Sequence, residues 1–127
     1  MKLRIQGNSI RLRLLRSEVA RFVEEGRIAE TVHFAPTEQA FFTYALQHEA
    51  SAKSVEVRYK PSEAIVIVPK SDALSWAQTE QVGIYATVNI SNHGDLAVSV
   101  EKDFACLDLS DAENKDTFPN PQVGVAC

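Results

Sequence analysis

The sequence predicts an α+β fold in which an eight-stranded antiparallel sheet or barrel carries two helices. Eight segments show apolar and polar alternation or a short apolar run, both typical of strands, and two show helical spacing after a serine. The order strand, strand, helix, strand, strand occurs twice. Repeated units of this kind bury their apolar faces against each other. We therefore expect one domain, residues 1–107, built from pseudo-repeats 1–48 and 54–107, followed by an acidic, proline-containing tail, 108–127.

The first unit opens with a predicted hairpin. Leu3 and Ile5 fall on one face of a first strand, because successive side chains of a strand point to opposite faces. A Gly7-Asn8-Ser9 turn joins it to a second strand, whose apolar face is formed by Ile10, Leu12 and Leu14. So short a link predicts antiparallel pairing.

A helix follows the hairpin. Ser17 is a good N-cap with Glu18 in the first turn, and Gly26 is a typical C-terminal stop. Helical spacing of Val19, Phe22 and Val23 indicates the buried face. The first unit ends with strands over 28–34 and 41–46, and the polar stretch 47–54 is predicted to be a loop between the halves.

The second unit repeats the same elements. Strands are predicted over 55–60 and 64–68, and Pro69 ends the second of them. Ser71 is the predicted cap of a helix that buries Trp76. Strands over 82–90 and 96–100 complete the unit, joined by a turn containing Asn92, His93 and Gly94. A closed barrel and a pair of packed sheets both satisfy this pattern, and the barrel is preferred because closure removes exposed sheet edges.

Composition restricts the function classes. A chain of 127 residues with 45% apolar and 24% charged residues is typical of a globular protein. The net charge of −4 argues against non-specific binding of nucleic acid. The amino terminus has no secretory pattern, so we expect a cytoplasmic protein with no membrane partner. Cys106 and Cys127 are expected to be free thiols, with a disulfide as the alternative, and the scattered histidines predict no metal site and no cofactor.

Cations on the polar faces of early strands are the main candidate site. They come from both units, namely Lys2, Arg4, Arg11, Arg13, Arg58 and Lys60. Adjacent strands lie about 4.8 Å apart, so cations on one face require an anionic ligand or facing carboxylates. The acids available for this are Glu56, Glu101 and Asp103. The alternative is that these side chains form an ordinary solvated strand face that guards against aggregation.

The segment from Glu101 to Leu107 is the second candidate site. It places Lys102 and Asp103 close to Cys106, and a neighbouring cation lowers the pKa of a thiol. A buried, unreactive cysteine is the alternative, in which case Lys102 and Asp103 fix the end of the strand. We find no phosphate loop, nucleophile elbow or paired metal motif, which favours a binding protein over an enzyme.

Two resemblances add to this interpretation. The order of elements is similar to the triphosphate tunnel fold, which implies metal-dependent hydrolysis of polyphosphates inside a barrel. Against this, the opening strand Lys2 to Gln6 lacks that family's alternating glutamates. The segments Lys2 to Leu14 and Glu101 to Leu107, with Asn120-Pro121, resemble the ends of a small uncharacterised bacterial domain family. That resemblance draws attention to Asn8, Arg11, Arg13, Lys102, Asp103 and Cys106.

From the sequence we expect a module that binds a phosphorylated or carboxylated small ligand on a cationic strand face. The expected ligand-binding residues are Lys2, Arg4, Arg11, Arg13, Arg58, Lys60, Glu101, Lys102 and Asp103. A homodimeric interaction domain without catalysis is the first alternative, with the helix face of Val19, Phe22 and Val23 or an open strand edge as its interface. A metal-dependent phosphohydrolase is the second alternative.

Overall fold

The computed structural model of the chain describes residues 1–105 and 115–119. Within these ranges the chain forms eight strands, two α-helices and a short 3-10 helix, Ser91–His93. The strands are β1 (Lys2–Ile5), β2 (Ser9–Leu14), β3 (Arg27–His33), β4 (Phe41–Glu49), β5 (Glu56–Lys60), β6 (Glu63–Pro69), β7 (Gly83–Asn89) and β8 (Asp95–Lys102). The helices are α1 (Arg16–Glu25) and α2 (Lys70–Gln78). The predicted α+β class is confirmed.

The strands form two four-stranded sheets, so the expectation of a single antiparallel sheet or closed barrel is wrong. The strand orders are β1-β2-β8-β7 and β3-β4-β6-β5. Each sheet joins two antiparallel hairpins through a parallel pair of central strands, β2 with β8 and β4 with β6. Alternation identifies strands and their buried faces but carries no information on strand direction across a non-local pair. The tunnel implied by the triphosphate tunnel resemblance is therefore not present.

The two halves of the chain have the same register. Moving 54 residues along the chain (63 minus 9, and 97 minus 43) takes Ser9 to Glu63 and Thr43 to Ala97, and both Ser9–Ala97 and Thr43–Glu63 are observed pairs. The same shift takes the hairpin pair Lys2–Arg13 to the pair 56–67. The helices α1 and α2 begin 54 residues apart as well. Common descent of the halves stays a prediction, and we use the shift below to compare equivalent positions.

Side chains from both sheets and both helices meet in one core. The equivalent residues Leu12 and Val66, and Phe22 and Trp76, are each at most 1% exposed. The core also contains Leu14, Val19, Leu46, Val68, Val98 and Val100. Val19 and Phe22 lie inside this core, so the helix face predicted as a dimer interface is not available for one.

The helix caps differ from the prediction. Leu15 precedes α1, and the Glu18 carboxylate accepts a 2.8 Å hydrogen bond from its N–H. Ser17 lies in the first turn, where its N–H donates to Oδ1 of Asp116 at 3.1 Å. Pro69 precedes α2, so Ser71 is not its cap. Gly26 ends α1 in the left-handed conformation, as predicted, with φ at 83°.

The strand β4 continues to Glu49, beyond the predicted boundary, because its parallel partner β6 supplies backbone partners for residues 47–49. The predicted loop is thus shortened. Of the predicted tail, residues 115–119 pack against the domain: the Phe118 N–H donates to the carbonyl of Asp103 at 2.8 Å. Cys106 and Cys127 lie outside the described residues, and with them the predictions on their redox state.

Candidate functional site

Four of the predicted site residues lie on the outer face of the first sheet. Leu3, Leu12 and Leu14 pack into the core, so the alternate side chains of β1 and β2 point away from it. We call the resulting surface the cationic face, and it consists of Lys2, Arg4, Arg11 and Arg13. The sequence prediction that these cations share one face stands on this placement.

Register places these cations directly opposite one another. Arg4 pairs with Arg11, and Lys2 pairs with Arg13 across the β1–β2 hairpin. Side chains directly opposite on one face have Cβ atoms about 4.5–5.5 Å apart, where like charges destabilise the pair. The cationic face therefore carries two adjacent like-charge pairs.

The second sheet shows that the scaffold does not require such pairs. At the positions equivalent to Arg4 and Arg11 it has Arg58 and Ile65, which are cross-strand partners in the β5–β6 hairpin. The pair equivalent to Lys2–Arg13 is Glu56–Ile67. Each equivalent row of the second sheet has one charge beside one aliphatic side chain. The double cations are thus particular to the first sheet.

Two carboxylates partly neutralise the cationic face. Oε1 of Glu101 lies 3.2 Å from Nε of Arg11 and 3.7 Å from Nε of Arg13. Oδ2 of Asp103 lies 2.8 Å from Nζ of Lys2. Arg4 forms no ion pair with any described residue, and one of its Nη atoms donates to Gln6 at 3.1 Å. Four cations therefore face two acids.

Asp103 is held in place by its backbone. Its N–H donates to the carbonyl of Leu14 at 2.8 Å, and its own carbonyl accepts from Phe118. The side chain is buried, and although Oδ2 is in ion-pair contact with Lys2, the angles are not those of a hydrogen bond and no described residue donates one. Asp103 thus joins the end of β8, the hairpin and residues 115–119, as the sequence suggested.

Tyr85 belongs to the same surface, and the sequence analysis missed it. It lies on the outer face of β7 opposite Ser99, which pairs in turn with Arg11. Its hydroxyl donates a 2.6 Å hydrogen bond to Oε2 of Glu101, while the residue is 58% exposed. Burial, and then the hydrogen bond to Glu101, raise the pKa of Tyr85 to about 12.

Gly83 makes room for this arrangement. A Cβ at Gly83 would lie 2.7 Å from the carbonyl oxygen of Val100 and 2.9 Å from the Tyr85 hydroxyl. The Tyr85 side chain therefore runs back along β7 and over Gly83 to reach Glu101. The available sequence signal was an outward aromatic residue two positions after a glycine in a half-buried strand.

Arg58 and Lys60 lie elsewhere. They are on the outer face of the second sheet, where the two Nη atoms of Arg58 donate to Glu49 at 2.8 and 2.9 Å. Nη2 also contacts Glu56 at 2.7 Å. These hydrogen bonds lower the pKa of Glu49 and raise the pKa of Arg58. Lys60 contacts Glu63 at 3.7 Å. The structure does not bring either cation to the cationic face.

Lys102 points to the opposite side of β8 from Glu101. It is buried, its Nζ donates to the carbonyl of Thr79 at 2.7 Å, and the ammonium lies 5.3 Å from the centroid of the Phe118 ring. Burial lowers its pKa. A cation at Thr79, the residue that ends α2, is favourable because the C-terminus of a helix is partially negative. His48 occupies the equivalent position in the first half, with Nε2 3.2 Å from the carbonyl oxygen of Val23 in α1.

The remaining candidates contribute little to the cationic face. The Asn8 side chain donates to the carbonyl of Asp95 at 2.8 Å and ties one turn to β8. Within residues 1–105 and 115–119, no three His, Cys, Asp or Glu side chains lie together as metal ligands would. None of the helices described is both long enough and apolar enough to cross a membrane.

These features define a class: an α+β domain of two four-stranded sheets, one of which presents paired cations and an ordered tyrosine on its outer face. The chain belongs to a family of unknown function, DUF7009, whose model matches residues 1–122. The resemblance to an uncharacterised domain family is thereby confirmed, while its bacterial distribution stays a prediction. No curated protein and no solved structure matches the chain.

Proposed function

We propose that the protein binds a small anionic ligand, phosphorylated or carboxylated, on the cationic face through Arg4, Arg11 and Arg13. The observation that supports this most directly is the pair of cross-strand rows, Arg4 opposite Arg11 and Lys2 opposite Arg13. Each row is unfavourable without a counterion, and the equivalent rows of the second sheet contain no such pair. A bound anion converts the repulsion into a shared attraction.

The guanidinium groups retain unused donors. Neither Arg11 nor Arg13 donates a hydrogen bond to a described residue, and their side chains are 37% and 42% exposed. A guanidinium group has five N–H donors in a planar fork that matches the oxygens of phosphate or carboxylate. Glu101 contacts the Nε side of both groups, so it orients them without occupying their outer edges.

Arg4 is the residue whose placement is hardest to explain structurally. It has no acidic partner among the described residues and lies opposite another arginine. Its equivalent, Arg58, is held by Glu49 and Glu56. In a binding site, an unpaired arginine is the one free to contact ligand, and we assign that role to Arg4.

Calorimetric titration of the whole chain with phosphate, pyrophosphate, tripolyphosphate and citrate tests the proposal. We expect binding that weakens as salt is raised, because exposed charges are screened. Arg4→Gln and Arg11→Gln should each reduce affinity at least about fivefold, in line with the loss of one charge-assisted hydrogen bond. Arg58→Gln and Lys60→Gln remove equal charge from the other sheet and are the matched controls. Absence of binding by all four anions, or equal loss in the control variants, would overturn the proposal.

A homodimer is the second candidate, and it is favoured by exposed apolar side chains where the sheets reach their hairpin turns. Ile5 and Tyr59, at equivalent positions of the two halves, are 64% and 73% exposed, and Phe34 is 71% exposed. Burying such residues against a second copy is a source of association energy. Light scattering over a range of concentrations checks this, and a monomer at every concentration contradicts it. A Tyr59→Ser variant should shift a dimer toward monomer.

A further inference from the structure

We propose that the ligand of the cationic face is a nucleotide, with its phosphate on Arg4 and Arg11 and its base stacked on Tyr85. This inference rests on the proposed anion-binding function and adds the chemical class of the ligand. A single row of the sheet carries it: Arg4, Arg11, Ser99 and Tyr85 lie side by side across β1, β2, β8 and β7.

The dimensions of this row suit a ligand with two different ends. Adjacent strands lie about 4.8 Å apart, so the backbone of Tyr85 is about 10 Å from that of Arg11 and about 14 Å from that of Arg4. This separation is comparable to the distance between the base and the phosphates of a nucleotide. Inorganic phosphate is too small to contact both ends of the row.

Small side chains separate the two ends. Ser99 lies between Arg11 and Tyr85, and in the neighbouring row Ala97 lies between Ser9 and Thr87. Short side chains leave space above the sheet for a sugar, and the Ser99 hydroxyl is a hydrogen-bond donor and acceptor beneath it. The middle of the surface therefore fits the part of a nucleotide that joins base to phosphate.

Tyr85 is ordered in advance. Its hydroxyl is bound by Glu101, which also contacts the two arginines of β2, and its side chain lies over Gly83. An aromatic side chain that is held in place but 58% exposed loses little conformational freedom when a base stacks on it. Stacking on aromatic side chains is the usual way in which proteins bind unpaired bases.

The second sheet again provides an internal comparison. Tyr85 pairs with Ser99, and the equivalent of Ser99 is Ala45, whose partner in the outer strand is Ala29. An alanine thus stands where the first sheet has its tyrosine. The aromatic side chain and the paired cations occur together on one sheet and are both absent from the matching rows of the other.

Calorimetry with the full chain tests the ligand class. The probes are AMP, ATP, ribose 5-phosphate, tripolyphosphate, adenosine and a short oligothymidylate. We expect AMP to bind about tenfold or more tightly than ribose 5-phosphate, since one stacked base contributes at least that factor. Tyr85→Ala should remove this difference and leave the affinity for tripolyphosphate unchanged, while Tyr85→Phe should retain most of it.

Tyr59→Ala is the matched control, because Tyr59 is an exposed tyrosine of the other sheet. Should Tyr85→Ala fail to fold, upfield NMR shifts of the adenine protons of AMP on the unaltered protein report stacking directly, and Tyr85→Leu replaces the alanine variant. A nucleotide bound without such shifts would overturn the assignment of Tyr85.

The two proposals fail in different ways. Equal affinity for AMP and ribose 5-phosphate, with tripolyphosphate binding intact, overturns the nucleotide and leaves anion binding standing. No binding by any phosphate overturns both. Binding of the oligothymidylate alone would replace a mononucleotide with single-stranded nucleic acid.

Discussion

Phe22 of α1 and Trp76 of α2 contact each other edge to face, with ring centroids 6.3 Å apart. Both are fully buried, they occupy equivalent positions 54 residues apart, and the indole N–H of Trp76 donates to the carbonyl of Val82 at 3.1 Å. The two halves of the chain thus join their helices through one aromatic pair at the centre of the core.

Truncation of this pair should be among the most destabilising changes in the protein. Phe22→Ala removes a fully buried ring, and substitutions of this kind cost about 3–5 kcal/mol. Denaturant unfolding followed by the fluorescence of Trp76, the single tryptophan, measures the free energy of unfolding. Phe34→Ala, at a 71% exposed position, should change it by less than about 0.5 kcal/mol. Similar losses for the two variants would contradict the central role of the pair.

Stability should decline above pH 8 because of the ammonium group of Met1. It forms ion pairs with Glu18 and, at 2.7 Å, with Glu30. Burial alone would lower its pKa, but the hydrogen bonds to these two carboxylates outweigh burial and raise the pKa above its ordinary value of 8.0. A raised pKa means that the stabilisation is complete below pH 8 and is lost as pH rises through the higher folded-state value.

Thermal melting between pH 7 and pH 10 checks this. Glu30→Gln removes one partner at a 43% exposed position, so it should flatten the decline while leaving the fold intact. Tyr44 and Tyr85, whose pKa values are raised from 10, add a loss of the same sign only above that pH. An unchanged slope between pH 8 and pH 10 in Glu30→Gln would count against the ion pair.

Asp116 should act as the N-terminal cap of α1, although it lies 99 residues from Ser17. Its carbonyl accepts from the Arg16 N–H at 2.9 Å and its carboxylate accepts from Ser17. Loss of a capping carboxylate costs about 1 kcal/mol. Asp116→Ala should therefore lower the free energy of unfolding by about that amount, and Lys115→Ala, at the exposed neighbouring position, should not. Equal effects would exclude a capping role.

Arg4 and Arg58 should respond oppositely to neutralisation. Arg4→Gln relieves a like-charge pair with Arg11, so it should raise stability by a few tenths of a kcal/mol at low salt and not at high salt. Arg58→Gln breaks contacts with Glu49 and Glu56, so it should lower the melting temperature. Melting of both variants at two salt concentrations is the measurement. A lower melting temperature for Arg4→Gln would show that Arg4 is structural.

Gly83→Ala should be destabilising for a purely steric reason. The new Cβ would lie 2.7 Å from a backbone oxygen of the neighbouring strand, which cannot move without disturbing the β7–β8 pairing. We expect a loss of about 1–3 kcal/mol, as is typical of overpacking. Displacement of the Tyr85 hydroxyl from Glu101 should accompany it, and the ultraviolet titration of Tyr85 would then move below its present pKa of about 12. An unshifted titration would mean that Gly83 does not position the tyrosine.

Much of the secondary structure could be read from the chain because its signals are local. Alternation at Leu12 and Leu14 identified a strand and its buried face, and Gly26 identified the end of a helix. The same alternation predicted that Arg11 and Arg13 share a face. Helix starts were less predictable: Ser17 and Ser71 have good capping side chains, yet Glu18 and Asp116 supply the bonds at α1.

Positions within the site depended on contacts that no local pattern encodes. Arg58 shares the alternation of Arg4 but lies on the other sheet, and Lys102 is buried although its neighbour Glu101 faces outward. Tyr85 meets Glu101 only because β7 and β8 pair in one particular register. Such placements require the assembled sheets.

The sequence by itself determined which segments are strands and helices, which of their faces are apolar, and that the order of elements repeats. Tertiary structure alone decided that the chain forms two sheets rather than one barrel, and that β2 lies parallel to β8. The physical reason is that hydrogen bonding along a strand is indifferent to the identity of its partner. The choice of partner is made when the apolar faces of both hairpin pairs and both helices are buried together in a single core.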